Sequence, residues 1–388
     1  MKTSNKKKNN SDHHDYLAFC LQGGGSLGAY QVGIIHALQE AGYEPDWFVG
    51  TSIGAINSAL AAGNSPKDRI DKMETFWNSI SNPAALDESL YGEDIHSLRL
   101  RNFFSSQRSL MFGQPNFFSP RLIPPYFNWN DSPANISFYD TSELKSTLER
   151  LIDFDRINSD ATRLSVGAVE VCTGKITYFD SKKQKIFPEH IMASGALPPG
   201  FPAIEVEGEF YWDGGISSNS PVSYVLQDKN CYKLLCFMVH LFDSYGLQPT
   251  SLDEVLKRKK DIEFSSRFAK LVQMHQEIHA LKFAIHQLSK HIPKDKCSKD
   301  IVQKCVQHGW NKTVNLVRFL YQGDESDLSS KDYEFSAISI KARMQKGYED
   351  GIASIKKSPW NKPVPEALGI ALHDMAEGKK IKSFEEKK

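Results

Sequence analysis

The chain has 388 residues, a length that favours two packed units over a single core. Apolar residues make up 40% and charged residues 24%, which is the profile of a soluble globular protein. Lysine plus arginine and aspartate plus glutamate both number 47, so the formal net charge is zero. No global electrostatic field therefore points to a nucleic-acid partner.

The amino terminus and the hydropathy bear on localisation. Residues 1–15 are rich in lysine, asparagine and histidine, and the apolar run 17–21 that follows is short. A secretory signal needs an apolar core of about 7–15 residues, and a membrane-spanning helix needs roughly 18. We therefore expect a disordered basic tail over 1–15 and a cytoplasmic protein, with peripheral membrane association left open.

Six cysteines are scattered without a CxxC pair or a metal-ligand spacing. This pattern predicts buried thiols in a reducing compartment and no metal site. They are Cys20, Cys172, Cys231, Cys236, Cys297 and Cys305.

Two strand–turn–helix units open the chain. The apolar run 17–21 predicts a buried parallel strand, and a helical pattern begins at Gly28. A second short strand at 47–49 precedes a helix that ends near Gly63. This alternation predicts an α/β fold with a parallel-rich sheet sandwiched by helices.

Residues 95–135 interrupt this pattern with many aromatic residues, five prolines and no clear period. Two interpretations are open: an irregular packed excursion, or a cap that lends apolar wall to a substrate cleft. The second interpretation predicts that Phe117, Phe118 and Phe127 lie closer to Ser52, a candidate nucleophile discussed below, than to the carboxyl-terminal region.

Regular structure is predicted to return after the aromatic segment. A hairpin is expected over 164–179, turning at Gly174, and another strand over 232–241. The composition then shifts to Lys, Gln, His and Leu with helical spacing. The predicted units are therefore 16–250, the sheet-containing part, and a helical extension over 251–388.

A glycine-rich segment lies at the first strand-to-helix junction. Backbone N–H groups and the helix dipole stabilise an anion or a transient oxyanion at such a junction. The segment also satisfies GxGxxG, but Gly50-Thr51-Ser52 closes the next strand where dinucleotide binding needs an acidic residue. The segment is Gly23, Gly24, Gly25, Ser26, Leu27 and Gly28.

A GxSxG motif follows the second strand. Gly50 and Gly54 permit a turn so sharp that it holds Ser52 exposed at the start of the next helix. The plain alternative is a tight turn with a capping serine. In this strand–helix context, 25 residues after the glycine-rich segment, the motif favours a nucleophile.

Serine needs a base within hydrogen-bond reach to act as a nucleophile. Asp213 follows a strand-like segment and precedes Gly214 and Gly215, so its carboxylate is open to an incoming hydroxyl. Because Asp-Gly is also a common turn pair, this signal is weak when taken alone.

In ordered combination these motifs resemble the patatin-like phospholipase family, whose signature is GGGxxG, GxSxG and DGG or DGA. The resemblance runs from Tyr16 to Val225 and includes 193–202 and 219–221. It implies a Ser52–Asp213 dyad without histidine, and an oxyanion hole formed by the N–H groups of Gly24, Gly25 and Ser26.

One position departs from the family pattern. Many members carry Arg or Lys where this chain has Leu27. The missing cation predicts that neutral esters are cleaved about as well as anionic phospholipids.

The histidines allow a triad or a metal site to be tested. His240 follows Asp213 at a strand end and is the only reasonable triad candidate, with a core histidine as the plainer interpretation. His275, His279 and His286 share a helix face without forming HExxH, so a solvated face and no metal are expected.

Apolar residues repeat at three- and four-residue spacing over 271–292. This seam predicts a long helix. It could pack against the chain's own first unit or form a homodimer through the 271–292 helix.

Taken together, the motifs and the resemblance predict a serine hydrolase that cleaves lipid esters through an acyl-enzyme, with no metal or organic cofactor. Its expected partner is a lipid or membrane-surface substrate, such as a phospholipid, lysophospholipid or acylglycerol. Two alternatives stay open. One is a hydrolase or acyltransferase for a polyhydroxyalkanoate or thioester, and the other is a non-enzymatic binding module.

Overall fold

A computed structural model describes most of the chain, namely residues 14–82, 92, 94–127, 129, 131–228, 233–265, 268–293, 302–304, 309 and 312–376. The predicted tail lies outside the described residues except for His14 and Asp15. Cys231, Cys297 and Cys305 also lie outside them.

One large mixed sheet forms the centre of the molecule. The strands, in chain order, are β1 (Tyr16–Leu21), β2 (Trp47–Thr51), β3 (Ser119–Pro120), β4 (Tyr139–Asp140), β5 (Arg163–Glu170), β6 (Ile176–Asp180), β7 (Ile204–Val206), β8 (Glu209–Asp213), β9 (Lys233–His240), β10 (Thr313–Leu320) and β11 (Ile370–Asp374). Nine of them form the large sheet in the order β11-β10-β9-β1-β2-β5-β8-β7, with β6 also paired to β5, whereas β3 and β4 pair with each other in a separate two-stranded sheet. The six strands from β11 to β5 run parallel, and β6, β7 and β8 are antiparallel additions.

Helices cover the sheet. In chain order they are α1 (Ala29–Glu40), α2 (Ile53–Ala62), α3 (Arg69–Ser79), α4 (Ile95–Phe112), α5 (Ser142–Leu151), α6 (Phe154–Ile157), α7 (Pro188–Ser194), α8 (Val222–Gln227), α9 (Leu252–Phe264), α10 (Phe268–Ser289) and α11 (Ala337–Lys357). The predicted α/β class, with its parallel-rich sheet, is therefore confirmed.

The central strands are continuous apolar runs because both of their faces are covered. β1 has five of its six residues buried, and it lies between β2 and β9 with both neighbours parallel to it. The predicted hairpin is also present, since β5 and β6 pair antiparallel around a turn in which Gly174 has φ of +67°.

The carboxyl-terminal region is mostly helical, as predicted, but it also extends the sheet. Strand β10 pairs along its whole length with β9, from Thr313 opposite Lys233 to Leu320 opposite His240. Strand β11 adds the outermost position. Strands on both sides of the expected boundary near residue 250 therefore belong to one sheet, and the boundary itself stays a prediction.

Helix α10 turns a different face to the body than predicted. Its buried residues are Phe268, Val272, His275 and His279, and the Nε2 atom of His279 lies 2.9 Å from the Glu366 carbonyl oxygen. The prediction of a solvated histidine face is wrong at His275 and His279, since both are buried. At His279 the imidazole can hydrogen-bond a backbone carbonyl that an apolar side chain could not satisfy.

The apolar seam predicted on the same helix is largely uncovered. Its residues Met274, Ile278, Leu281 and Leu288 are exposed. The prediction that the seam packs against the chain's own first unit is therefore wrong at these four positions. A homodimer through the 271–292 helix stays a prediction.

The segment 95–135 is more regular than expected. Helix α4 occupies its first half, and the Asp94 carboxylate caps it by accepting hydrogen bonds from the backbone N–H groups of His96 and Ser97. The buried residues of this helix are polar: Asn102, Ser106 and Ser109. A search for apolar periodicity missed the helix because its inner face carries hydrogen-bonding side chains.

Two further expectations concern cysteines and membrane spans. Cys20 and Cys236 are buried free thiols, whereas Cys172 is exposed in the hairpin turn, so the prediction of buried thiols is wrong at Cys172.

Among the described residues, no helix combines the length and the apolar character needed to cross a bilayer.

Candidate active site

Ser52 lies on a strained turn between β2 and α2. Its φ of 57° and ψ of −128° are unusual for a residue with a side chain, and such strain clusters at functional sites. The turn is held by the Ser52 N–H, which lies 3.1 Å from both the carbonyl and the hydroxyl oxygen of Ser194. The hydroxyl of Ser194 donates in turn to the Gly167 carbonyl of β5 at 2.6 Å.

The two glycines of GxSxG are required by close approach of the backbone. A Cβ atom at Gly50 would lie 2.2 Å from the Gly54 carbonyl oxygen, and one at Gly54 would lie 2.3 Å from the Leu21 carbonyl oxygen. The second contact brings β1, and with it the glycine-rich segment, against the start of α2.

Sheet order brings Asp213 to Ser52. Strand β5 lies between β2 and β8, with Thr51 opposite Gly167 and Ala168 opposite Asp213. Two residues far apart in the chain therefore meet across a single strand. The Ser52 hydroxyl is close enough to the Asp213 carboxylate to stabilise its ionised form, and both residues line one cavity.

The environment of Asp213 favours its neutral form. The side chain is buried, and burial raises its pKa from 3.8 to about 6. Hydrogen bonds from the Ser52 hydroxyl and from the Gly215 N–H, the latter 2.7 Å long, oppose this shift. A carboxylate with a pKa near 6 is still ionised at neutral pH and is a stronger proton acceptor than an exposed aspartate.

The glycine-rich segment borders the same site. Gly23, Gly24 and Gly25 line the cavity that contains Ser52. Gly25 has φ of +54°, and a Cβ atom there would lie 2.0 Å from the Asp332 carbonyl oxygen. Gly28 packs beneath the cavity, close to Ile53.

Ser26 faces away from the cavity with its side chain. Its hydroxyl donates to the Lys331 carbonyl at 2.8 Å and accepts from Nη1 of Arg343 at 2.9 Å. Arg343 is buried beside Asp327 and Glu334, at 3.4 and 3.7 Å. Arg343, Asp327 and Glu334 form what we call the arginine cluster, which contacts the glycine-rich segment on the side away from the cavity.

A cavity of about 320 Å³ opens at Ser52 and Asp213, and its wall is mostly apolar. The sheet-containing part of the chain contributes residues such as Ile56, Met192 and Leu197, and the segment 95–135 contributes Ser109, Leu110, Phe117 and Phe118. Phe117 and Phe118 pack against Phe201, with ring centroids 6.0 and 5.1 Å apart. Phe127 differs, since it is an exposed surface residue.

Sequence reasoning missed the wall that the carboxyl-terminal region supplies. Phe264, Asp332, Tyr333 and Phe335 line the cavity. Asn219 connects the two halves, because its Nδ2 donates to the carbonyls of Gly23 and Phe264 at 3.1 and 3.2 Å. These residues belong to no motif of the first half, and only long-range contacts bring them to Ser52.

Leu27 does not face the site. It is completely buried in the hydrophobic core. The argument that its side chain sets headgroup preference is therefore wrong, because a cation at this position would point into the core instead of toward a bound ester.

His240 is engaged elsewhere. Its Nε2 atom lies 3.3 Å from the Ser220 hydroxyl and its ring packs against Phe268. Burial lowers its pKa to about 3, so it is neutral at physiological pH. Within the described part of the chain, no histidine lines the cavity and no cluster of His, Cys, Asp and Glu is placed to hold a metal ion.

The parallel sheet, the strained turn at Ser52 and the adjoining carboxylate define an α/β protein with a hydrolase-type strand-to-helix turn. A family model described as patatin-like phospholipase matches residues 19–226, more than half of the chain. The chain belongs to the patatin-like phospholipase family. A second family model, described as patatin phospholipase, matches residues 262–367.

The matches to individual proteins are either short or distant in sequence. Lysophospholipase nte1 of Aspergillus terreus is 60% identical over 46 residues, which cover 12% of this chain and 3% of that protein. VipD from Legionella pneumophila is 14% identical with a TM-score of 0.34, covering 99% of this chain and 78% of its own. ExoU of the Pseudomonas aeruginosa type III secretion system, crystallised with SpcU, is 16% identical with a TM-score of 0.30, covering 68% and 53%.

Proposed function

We propose that the protein is a serine acyl hydrolase that cleaves lipid esters through a Ser52–Asp213 dyad. The observation that carries this proposal is the juxtaposition of Ser52, on its strained turn, with the buried Asp213 carboxylate in an apolar cavity. Membership of the patatin-like phospholipase family supports the same reaction class.

The first half-reaction forms an acyl-enzyme. The Ser52 oxygen attacks the ester carbonyl carbon while its proton passes to Asp213. The tetrahedral intermediate then collapses, the bond to the alcohol breaks, and the leaving oxygen takes the proton from Asp213. Ser52 is left esterified to the acyl chain.

The second half-reaction restores the enzyme. Asp213 accepts a proton from water, whose oxygen attacks the acyl carbonyl carbon. The bond to Ser52 breaks and the serine oxygen recovers the proton, which releases the carboxylic acid. Asp213 alternates between base and acid, so a pKa of about 6 suits both roles.

The developing oxyanion needs donors beside Ser52. Gly24 and Gly25 line the cavity at this point, and their N–H groups are proposed as the oxyanion hole, with Ser26 as the third member. Removing one such donor costs roughly 3–4 kcal/mol of transition-state stabilisation in comparable sites. The arginine cluster behind Ser26 would keep the donors in place.

The cavity supports a lipid acyl chain as the bound group. Its wall combines aromatic and aliphatic side chains, and each methylene transferred there from water contributes about 0.8 kcal/mol. A phospholipid, a lysophospholipid or an acylglycerol presents an ester at the end of such a chain.

Labelling with a serine-reactive fluorophosphonate and product analysis would test the proposal. The wild-type chain should be labelled and should release free fatty acid from lipid esters, whereas Ser52→Ala should do neither. Ser159→Ala, which removes an exposed hydroxyl elsewhere, is the matched control and should behave as wild type. Full hydrolysis by a folded Ser52→Ala chain would overturn the dyad, and turnover of polyesters or thioesters alone would replace the substrate class.

A further inference from the structure

Helix α4 is amphipathic in the reverse of the usual sense. Its polar residues Asn102 and Ser109 face the body, where the Asn102 amide donates to the Ser326 carbonyl at 3.1 Å and the Ser109 hydroxyl accepts from Asn82 at 3.3 Å. Its apolar residues Phe104, Met111 and Phe112 lie on the outside. Turning this helix over would break the inner hydrogen bonds, so the apolar side is fixed outward.

The segment after α4 also carries exposed apolar side chains. Leu122 is 100% exposed, Phe127 71% and Trp129 83%. With Phe104, Met111 and Phe112 these residues form what we call the outer apolar face. Exposed apolar patches of this kind mark contact sites for proteins or membranes.

The outer apolar face adjoins the entrance of the cavity. Leu110 of α4 and Leu197 are both partly exposed and both line the cavity, so they lie where it opens to the surface. The Tyr139 hydroxyl donates to the Leu110 carbonyl at 2.8 Å, and the Phe138 N–H donates to the Pro199 carbonyl at 3.1 Å. Backbone and side-chain hydrogen bonds thus hold the face beside the cavity wall.

The charge around this face selects an anionic surface as its occupant. Residues 95–129 contain four arginines and no acidic residue, in a chain whose net charge is zero. Arg121 is paired with Asp140, and Arg99 donates to the Glu325 carbonyl. Arg101 and Arg108 lie on the same side of α4 as Phe104 and Met111, at spacings of three and four residues. Basic residues beside exposed aromatic and aliphatic side chains are typical of helices that lie in the interface of an anionic bilayer.

We propose that the outer apolar face docks the protein onto an anionic lipid bilayer, with the cavity entrance at the membrane surface. The apolar side chains enter the acyl boundary, Arg101 and Arg108 meet lipid headgroups, and an acyl chain passes Leu110 and Leu197 into the cavity. This proposal deepens the proposed function, on which its link to turnover rests.

Flotation of the full chain with vesicles tests the docking step without turnover. The probes are vesicles of phosphatidylcholine alone and of phosphatidylcholine with about one quarter phosphatidylserine. The wild type should float with the anionic vesicles, and added salt should weaken this binding. The triple variant Phe104→Ser, Met111→Ser, Phe127→Ser should bind roughly tenfold more weakly or worse.

A matched control removes exposed apolar side chains elsewhere. Leu281→Ser with Leu288→Ser on α10 should leave vesicle binding unchanged. All variants should hydrolyse a dissolved short-chain ester at the wild-type rate, because none of these residues lines the cavity. The triple variant alone should lose hydrolysis of vesicle lipid.

Several results would overturn the docking proposal. These are absence of wild-type binding to anionic vesicles, equal loss in the α10 control, or self-association without vesicles that the triple variant abolishes. The last result would make the face an interface between copies of this chain. If the wild-type chain did not hydrolyse the short-chain ester, the proposed function would be refuted, whereas the binding of the chain to vesicles would still test the docking proposal.

Discussion

The two sides of the cavity are built by different kinds of sequence. On one side, Ser52, Asp213 and the glycine-rich segment come from short motifs at strand ends. On the other side, Phe264, Asp332 and the supporting Arg343 come from a region without such motifs. The chemistry is thus encoded locally, whereas the shape of the site depends on contacts more than a hundred residues away.

The largest expected effect tests the motif side. Asp213→Asn keeps the size of the side chain but cannot accept the serine proton, so turnover should fall by roughly a hundredfold to ten-thousandfold. Steady-state kinetics on a dissolved ester measures the loss. His240→Gln is the control variant. If His240→Gln were as inactive as Asp213→Asn, a histidine would take part in the chemistry.

The next effect tests the supporting side. Arg343→Met leaves Asp327 and Glu334 buried without their cation and should cost about 3–5 kcal/mol of unfolding free energy. Arg343→Lys keeps the charge and should cost less. Urea denaturation measures both, and kcat at a temperature where both variants are folded tests the effect on the glycine-rich segment. Wild-type stability and kcat in Arg343→Met would show that the cluster does not support the site.

The pH dependence separates the catalytic role of Asp213 from its effect on stability. Below its pKa of about 6 the carboxyl is protonated, so kcat/KM should fall tenfold per pH unit. The raised pKa has the opposite effect on stability. Protonation stabilises the folded state, and this contribution is fully present below pH 3.8 and is lost as the pH rises through 6.

Titration of this single group lowers the free energy of unfolding by on the order of 3 kcal/mol between low pH and pH 8, since each unit of pKa shift corresponds to about 1.4 kcal/mol. Asp213→Asn should therefore be more stable than wild type at pH 8, with the difference shrinking toward pH 4. Denaturation midpoints across this range measure it. Equal pH slopes for the two chains would contradict the assigned pKa.

The smallest effect concerns the wall of the cavity. Leu110→Ala should raise KM for dissolved long-chain esters several-fold and leave a two-carbon ester unchanged, because only the long chain reaches this side chain. Leu100→Ala, on the outer side of the same helix, is the matched control. Equal changes for both ester lengths would indicate a structural role for Leu110.

Much of the motif side could be predicted from the sequence, since each strand end, tight turn and glycine is a local feature. The meeting of Ser52 with Asp213 was expected only by resemblance, and its physical cause is the antiparallel placement of β8 beyond β5. Helix α4 escaped prediction because its buried residues are polar. The arginine cluster escaped because nothing local distinguishes Arg343 from a surface arginine.

The pairing of β10 with β9 has a consequence for how this protein can be divided. The first family match ends at residue 226, before β9 begins. A fragment cut near residue 250 would keep β9 but remove the partner that covers its eight residues. That fragment would present a long apolar strand with unpaired backbone groups, a template for intermolecular strand pairing and aggregation. We therefore expect the part of the chain before residue 250 to stay soluble only when the carboxyl-terminal region is present to pair with β9.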